Sequence, residues 1–168
     1  MSVQQKIIFV NRFFYPDESA TSLLVTDLAI ELARIQVPVH VICSRLSIKG
    51  NRISAASGQL ADIEIHRVWT SGLGNGSLIR RSVDYLCFYP GAFLKLLRVA
   101  KPGDTIVVKT DPPLLLLVGA LAAKLKRARL INWLQDLYPE VGAELGIPFL
   151  RGAFGQVLRK VRNIVLRR

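Results

Sequence analysis

The stretch that decides the fold is Asp104–Glu140, DTIVVKTDPPLLLLVGALAAKLKRARLINWLQDLYPE. Two apolar runs of strand length, Thr105–Val108 and Leu130–Leu134, flank an Ala/Leu-rich segment from Pro113 to Lys126 that is long enough for a helix. This is a βαβ unit. Its strands lie parallel, and in open α/β sheets ligands gather in the crevice beyond the strands' carboxyl ends. The polar residues cluster there: Lys109, Thr110 and Asp111 after one strand, Gln135 and Asp136 after the next. We read this rim as a functional edge.

Working outward, the same alternation recurs at the amino end. Lys6–Val10 is a short apolar strand, and Pro16 discourages helix at Tyr15 in the loop that follows. Ser19 or Thr21 can cap the next helix, in which Leu24, Leu28, Leu32 and Val25, Ala29, Ala33 recur with the period of a helix lying on a sheet. Val37–Cys43 is a second strand. The segment 44–60 reads as an exposed loop, and Ile63–Val68 alternates as a strand with one wet face, so Glu64 and His66 are expected to point outward together. The GxGxG of the flexible turn Ser71–Ser77 resembles a phosphate cradle but, outside a Rossmann strand-and-helix fingerprint, is a weak signal.

Leu78–Val99 is helical in pattern, with an expected break at Pro90-Gly91, and it is crowded with Tyr85, Phe88, Tyr89 and Phe93. That is more aromatic surface than one core face needs. It fits either a kinked core helix or a partly exposed face meeting lipid or a partner, with Phe88 and Phe93 as the contact residues. The final segment, 149–168, carries apolar residues at steps of three or four from Leu150 to Val165, with Arg151, Arg159, Lys160, Arg162 and Arg167 expected on the other side. A basic amphipathic helix is either a sheet cover with a basic solvent face or an element that docks on a membrane surface or a partner. In the second case Arg159, Lys160 and Arg162 contact the membrane.

Composition bounds the rest. A chain of 168 residues is long enough for one α/β domain, doubly wound and mainly parallel, with helices on both faces. Its 23 Lys+Arg against 12 Asp+Glu leave a formal charge of +11, which favours polyanions such as anionic lipid or phosphorylated substrates. No aromatic-plus-basic RNA motif or helix-turn-helix pattern points to specific nucleic-acid binding. Cys43 and Cys87 sit in apolar runs without metal-ligand spacing and are expected as free thiols in a reducing compartment. The amino terminus enters a strand directly without a signal-like segment, and the longest uncharged apolar run, Leu114–Ala123, is ten residues, against about 20 for a bilayer span. A cytoplasmic protein is expected. The GxGxxG and Walker fingerprints are absent, which disfavours a nicotinamide cofactor or nucleoside-triphosphate hydrolysis.

Three stretches in order, RFFYPDESATSLLVTDLAIELA, KTDPPLLLL and NWLQDLYPEVGAELGI, make the chain resemble the amino-terminal half of family-4 retaining glycosyltransferases, of the bacterial kind that builds colanic acid, capsule or O-antigen chains. The resemblance implies one Rossmann-like half of a GT-B fold, the acceptor side, facing a donor-binding domain supplied in cis or trans. It implies a polyprenyl-diphosphate-linked saccharide acceptor at the inner face of the plasma membrane and a nucleotide-sugar co-substrate held mainly by the other domain, without metal or resident cofactor. By position, Glu18, Ser19, Ala20 and Thr21 would line the cleft near the transferred sugar. Lys109, Thr110, Asp111 and Gln135 would sit on its rim, and Asp136 would touch the acceptor hydroxyl as the catalytic residue. Where relatives often carry two glycines in the first loop, this chain has Ser19-Ala20. The chain is expected to be inactive alone, because half a cleft supplies half the positioning. The competing reading is a non-catalytic docking module that keeps the Rossmann-like core.

Overall fold

The computed structural model describes residues 4–53, 57–60, 62–73, 78–144, 146 and 152–166. Four positions of the glycine-rich turn (74–77), and Leu150, Arg151 and Arg167 of the final segment, lie outside them.

Six strands form one sheet: β1 (Ile7–Val10), β2 (Val39–Ser44), β3 (Ser57–Leu60), β4 (Ile63–Val68), β5 (Thr105–Lys109) and β6 (Arg129–Trp133). Their order is β3-β4-β2-β1-β5-β6. Five of them run parallel, in register Ile7↔Val39, Ile7↔Thr105, Val39↔Ile63 and Thr105↔Arg129. Helices α1 (Ala20–Arg34), α2 (Leu78–Val99) and α3 (Leu115–Lys126) make the crossovers, and α4 (Glu140–Glu144) and α5 (Ala153–Leu166) follow β6. This is an α/β, Rossmann-like sheet with helices on both faces. β3 is the addition to the expected strands. It pairs antiparallel with β4 at the edge, in part of the chain expected as loop, where Gly58 and the polar Ser57 and Gln59 conceal a strand signal.

Alternation within the central strands divides the core. Ile8, Val10, Ile42, Ile106 and Val108 pack against α2 and α3, whereas Phe9, Val39, Val41 and Val107 pack beneath α1. On α1 the smaller row faces the sheet: Val25 and Ala29 are fully buried, while Leu24 and Leu28 are exposed and Leu32 of the larger row packs at the core's margin. α3 approaches even more closely, since a Cβ on Gly119 would lie 2.4 Å from Cγ2 of Val108.

Helix α2 does not break at Pro90. It runs continuously through that residue, which faces solvent. A proline inside a helix costs about 3 kcal/mol, and α2 offsets this by burying Phe88, Ala92 and Leu96 completely, at about 1.5–3 kcal/mol for each large side chain. The expected aromatic contact face is therefore corrected: Phe88 is core, and Phe93 packs against the core as a partly buried side chain. Tyr89 donates a hydrogen bond to the carbonyl of Pro113.

The expected segregation on the final helix is corrected too. The Arg162 side chain turns inward, where it pairs with Glu140 and donates to the Tyr138 carbonyl at 2.8 Å, and Arg159 Nε lies 3.6 Å from Glu140 Oε1. Glu140, the first residue of α4, draws both arginines toward the protein and holds α5 in place. Lys160 stays exposed, and so do the apolar Val157 and Ile164. Among the described residues no helix is long and apolar enough to cross a membrane. Both cysteines are free thiols. Cys43 is buried, and burial pushes its thiol up to about 12.

Candidate functional site at the carboxyl edge of the sheet

The carboxyl ends of β1, β2 and β5 are tied together by backbone. Arg12, two residues beyond β1, donates its N–H to the carbonyl of Asp111 at 3.1 Å and accepts from the N–H of Ser44 at 2.8 Å. Its guanidinium is buried. It pairs with Asp84 of α2 and lies over the rings of Phe13 and Tyr85, 4.8 and 4.9 Å from their centroids. Asp84 also accepts from Ser71 Oγ at 2.9 Å and from the N–H of Gly72 at 3.0 Å. Among the described residues Arg12 Nε has no hydrogen-bond partner. Arg12, Phe13, Asp84 and Tyr85 line a cleft of about 240 Å³ together with Ile48, Gly72 and Asp111.

A second, narrower pocket opens beside it at the ends of β5 and β6. Its volume of about 10 Å³ is room for one water-sized group. Lys109, Thr110, Leu114, Asn132, Asp136 and Tyr138 are among its lining residues. Lys109 is 1% exposed, and its ammonium sits 4.2 Å from the centre of the Trp133 ring with no hydrogen-bond partner among the described residues. Desolvation pulls its pKa below the ordinary lysine value, partly opposed by the carboxylates of Asp111 and Asp136. A buried cation without a hydrogen bond to the protein is costly, and each one calls for a partner such as an ordered water, an ion or a ligand, or for a catalytic role. Thr110 ties the two strand exits together, since its Oγ1 accepts from the N–H groups of Gln135 at 3.4 Å and Asp136 at 3.3 Å.

Helix α3 begins at the wall of this pocket. Thr110 and Asp111 do not cap it. The cap position is Leu114, which adopts φ 66° and makes no side-chain capping bond. A branched side chain in the left-handed region is strained, and such residues concentrate at functional sites.

The loop after β1 is organised differently from the expectation. Glu18 and Ala20 are exposed, and Ser19 is the N-cap of α1, its Oγ accepting from the N–H of Ser22 at 3.4 Å. Thr21 Oγ1 lies 3.5 Å from Ser19 Oγ. None of these four residues lines either cavity. The loop is pinned by buried Asp17, which accepts from the N–H of Ser19 at 2.8 Å and of Ile48 at 2.5 Å. The structure thus brings Lys109, Thr110 and Asp136 together, with Gln135 exposed beside them, sets Asp111 in the adjoining cleft, and leaves Glu18–Thr21 outside both. Arg12 and Asp84 are the residues that sequence reasoning missed. Arg12 lies two residues past the first strand, at a carboxyl end where polar residues matter, but its partner is 72 residues away.

No protein family matches the chain, and no curated protein matches it.

Proposed function

We propose that the chain is the acceptor-binding side of a retaining glycosyltransferase that moves a sugar from a nucleotide-sugar to a lipid-linked saccharide in bacterial surface-polysaccharide synthesis. The observation that carries this reading is Lys109, a buried ammonium without a hydrogen bond at the carboxyl end of a central parallel strand. It offers charge to a phosphorylated ligand at the place where α/β sheets bind ligands. The resemblance of the NWLQDLYPE and KTDPP stretches to family-4 enzymes supports the same assignment.

In this reading the acceptor saccharide enters the Arg12–Asp111 cleft. That cleft, at about 240 Å³, falls below the roughly 300–1,000 Å³ of a complete ligand pocket, as expected of one wall of a site that a donor-binding domain closes. Asp136, exposed at the mouth of the narrow pocket, accepts the hydrogen bond of the reacting acceptor hydroxyl. Lys109 steadies the acceptor's negative charge. Peripheral attachment to the inner face of the plasma membrane is supported by the charge of +11 and by the exposed Lys160, Val157 and Ile164 on α5.

The test is transfer of radiolabelled sugar to a short-chain polyprenyl-diphosphate monosaccharide. Product is expected when a donor-binding domain accompanies the chain, with at least a hundredfold loss for Asp136→Asn. Turnover of nucleotide-sugar by the chain unaided would refute the proposal, as would an Asp136→Asn variant of full activity.

A further inference from the structure

The chain has two histidines, and the fold brings both to one spot away from the carboxyl-edge cavities. His40 is the second residue of β2 and pairs in parallel register with Glu64 of β4, while His66 lies two residues further along β4. Side chains two apart on a strand share a face, so all three project toward the α2 side of the sheet. The sequence alternation points His66 outward together with Glu64. Its ring is instead covered, with 15% of the side chain exposed, and it lies beside His40 at 25° between ring planes.

The donor atoms converge closely. His40 Nδ1 is 3.0 Å from His66 Nε2 and 3.4 Å from Glu64 Oε2, and His66 Nε2 is 3.8 Å from that same oxygen. A point equidistant from the three atoms lies about 2 Å from each, the length of zinc bonds to imidazole nitrogen and carboxylate oxygen, about 2.0–2.2 Å. Glu64 is 62% exposed at the side chain, which gives an ion a path from solvent and leaves a coordination position for water. The other charges around the cluster are Lys95 of α2 and the Lys6–Asp104 pair.

From this geometry we infer that His40, Glu64 and His66 form a three-ligand site for a divalent transition-metal ion of the zinc class, which clamps β2 to β4. Two imidazoles and one carboxylate suit zinc, with cobalt as its spectroscopic substitute. Magnesium and calcium prefer all-oxygen shells. Without metal the two facing nitrogens share one proton in an N–H···N bond. On binding, the ring that holds it moves that proton to its other nitrogen, so both lone pairs reach the ion and no net proton is released. The inference is independent of the proposed transferase activity.

The experiment is titration of the tag-free, metal-free chain with Zn²⁺ and with Co²⁺. One equivalent should bind, Co²⁺ should develop the visible absorption of a tetrahedral site, and the melting temperature should rise with Zn²⁺ concentration. Glu64→Gln and His66→Gln should each weaken binding at least tenfold, while Mg²⁺ and Ca²⁺ should have no effect. The wild-type imidazole ¹⁵N spectrum reads the site even where a variant fails to fold, because Zn²⁺ must shift both histidines. Unshifted imidazole resonances, a missing tetrahedral cobalt spectrum, or undiminished Zn²⁺ binding by a folded His40→Gln/His66→Gln variant would overturn the inference.

Discussion

Replacing Lys109 with methionine should stabilise the protein while removing ligand affinity. The ammonium is buried without a hydrogen bond among the described residues, a penalty of about 1–3 kcal/mol. Against this stands its contact with Trp133, 4.2 Å from the ring centre, worth about 0.5–2 kcal/mol. Loss of attraction to Asp111, which is half-buried, and to Asp136, which is exposed, adds about 0–1 kcal/mol. Methionine keeps the unbranched stem and a sulfur over the ring, so most of the aromatic contact survives. The balance is a gain of about 1 kcal/mol, or about 2–4 °C in Tm for a chain of this size. The gain also depends on pH. Because the folded pKa of Lys109 is depressed, the unfolded chain holds its proton more tightly. The wild type therefore gains stability as pH rises from the folded value toward the ordinary lysine value, and its deficit against the methionine variant narrows there. Urea unfolding at constant m value, at neutral and at alkaline pH, measures both effects. A loss of more than 2 kcal/mol in Lys109→Met would refute the reasoning, because it would make the ammonium a structural group and not a poised one.

Other perturbations separate the remaining parts of the account. Gly119→Ala should cost about 1–3 kcal/mol in chemical denaturation, since its methyl would meet Val108 at 2.4 Å. Asp84→Ala, which leaves the Arg12 guanidinium buried and unpaired, should cost about 3–5 kcal/mol by the same measurement. Glu140, its pKa held down first by the hydrogen bond from Arg162, contributes stability that is full above the ordinary carboxylate value and disappears as pH falls through its lowered one. Acid titration of Tm should show this small step, under about 1 kcal/mol because Glu140 itself stays partly exposed, and Glu140→Gln should abolish it. In vesicle co-sedimentation with anionic lipid, Lys160→Glu should weaken binding, whereas Phe88→Leu should leave it unchanged because Phe88 is core.

The fold was legible where burial imposes a period. The Asp104–Glu140 βαβ unit and its amino-terminal counterpart could be read because short apolar runs of strand length flank segments of helix length, in α1 with apolar residues at steps of three or four. Two features escaped. β3 is short and polar, so its pairing with β4 outweighs its composition. α2 runs through Pro90 because Phe88, Ala92 and Leu96 bury enough apolar surface to outweigh a missing hydrogen bond. At the site, sequence identified residues that sit at strand ends, such as Lys109 and Asp136, since topology alone puts them on one edge. It could not reveal the Arg12–Asp84 pair or the meeting of His40 with Glu64 and His66, because those contacts join distant segments by sheet order. It also misjudged Arg162, because helical periodicity does not show that Glu140 sits across from it.

The claim on which the account rests is that the carboxyl-edge cavities receive the charged acceptor. Amide chemical-shift mapping with a short-chain polyprenyl-diphosphate monosaccharide tests it most directly. The account predicts perturbations confined to Arg12, Asp84, Tyr85, the Lys109–Asp111 segment and Asp136, lost in Lys109→Met. Perturbations centred on α5 or on the opposite end of the sheet, with those residues silent, would contradict it.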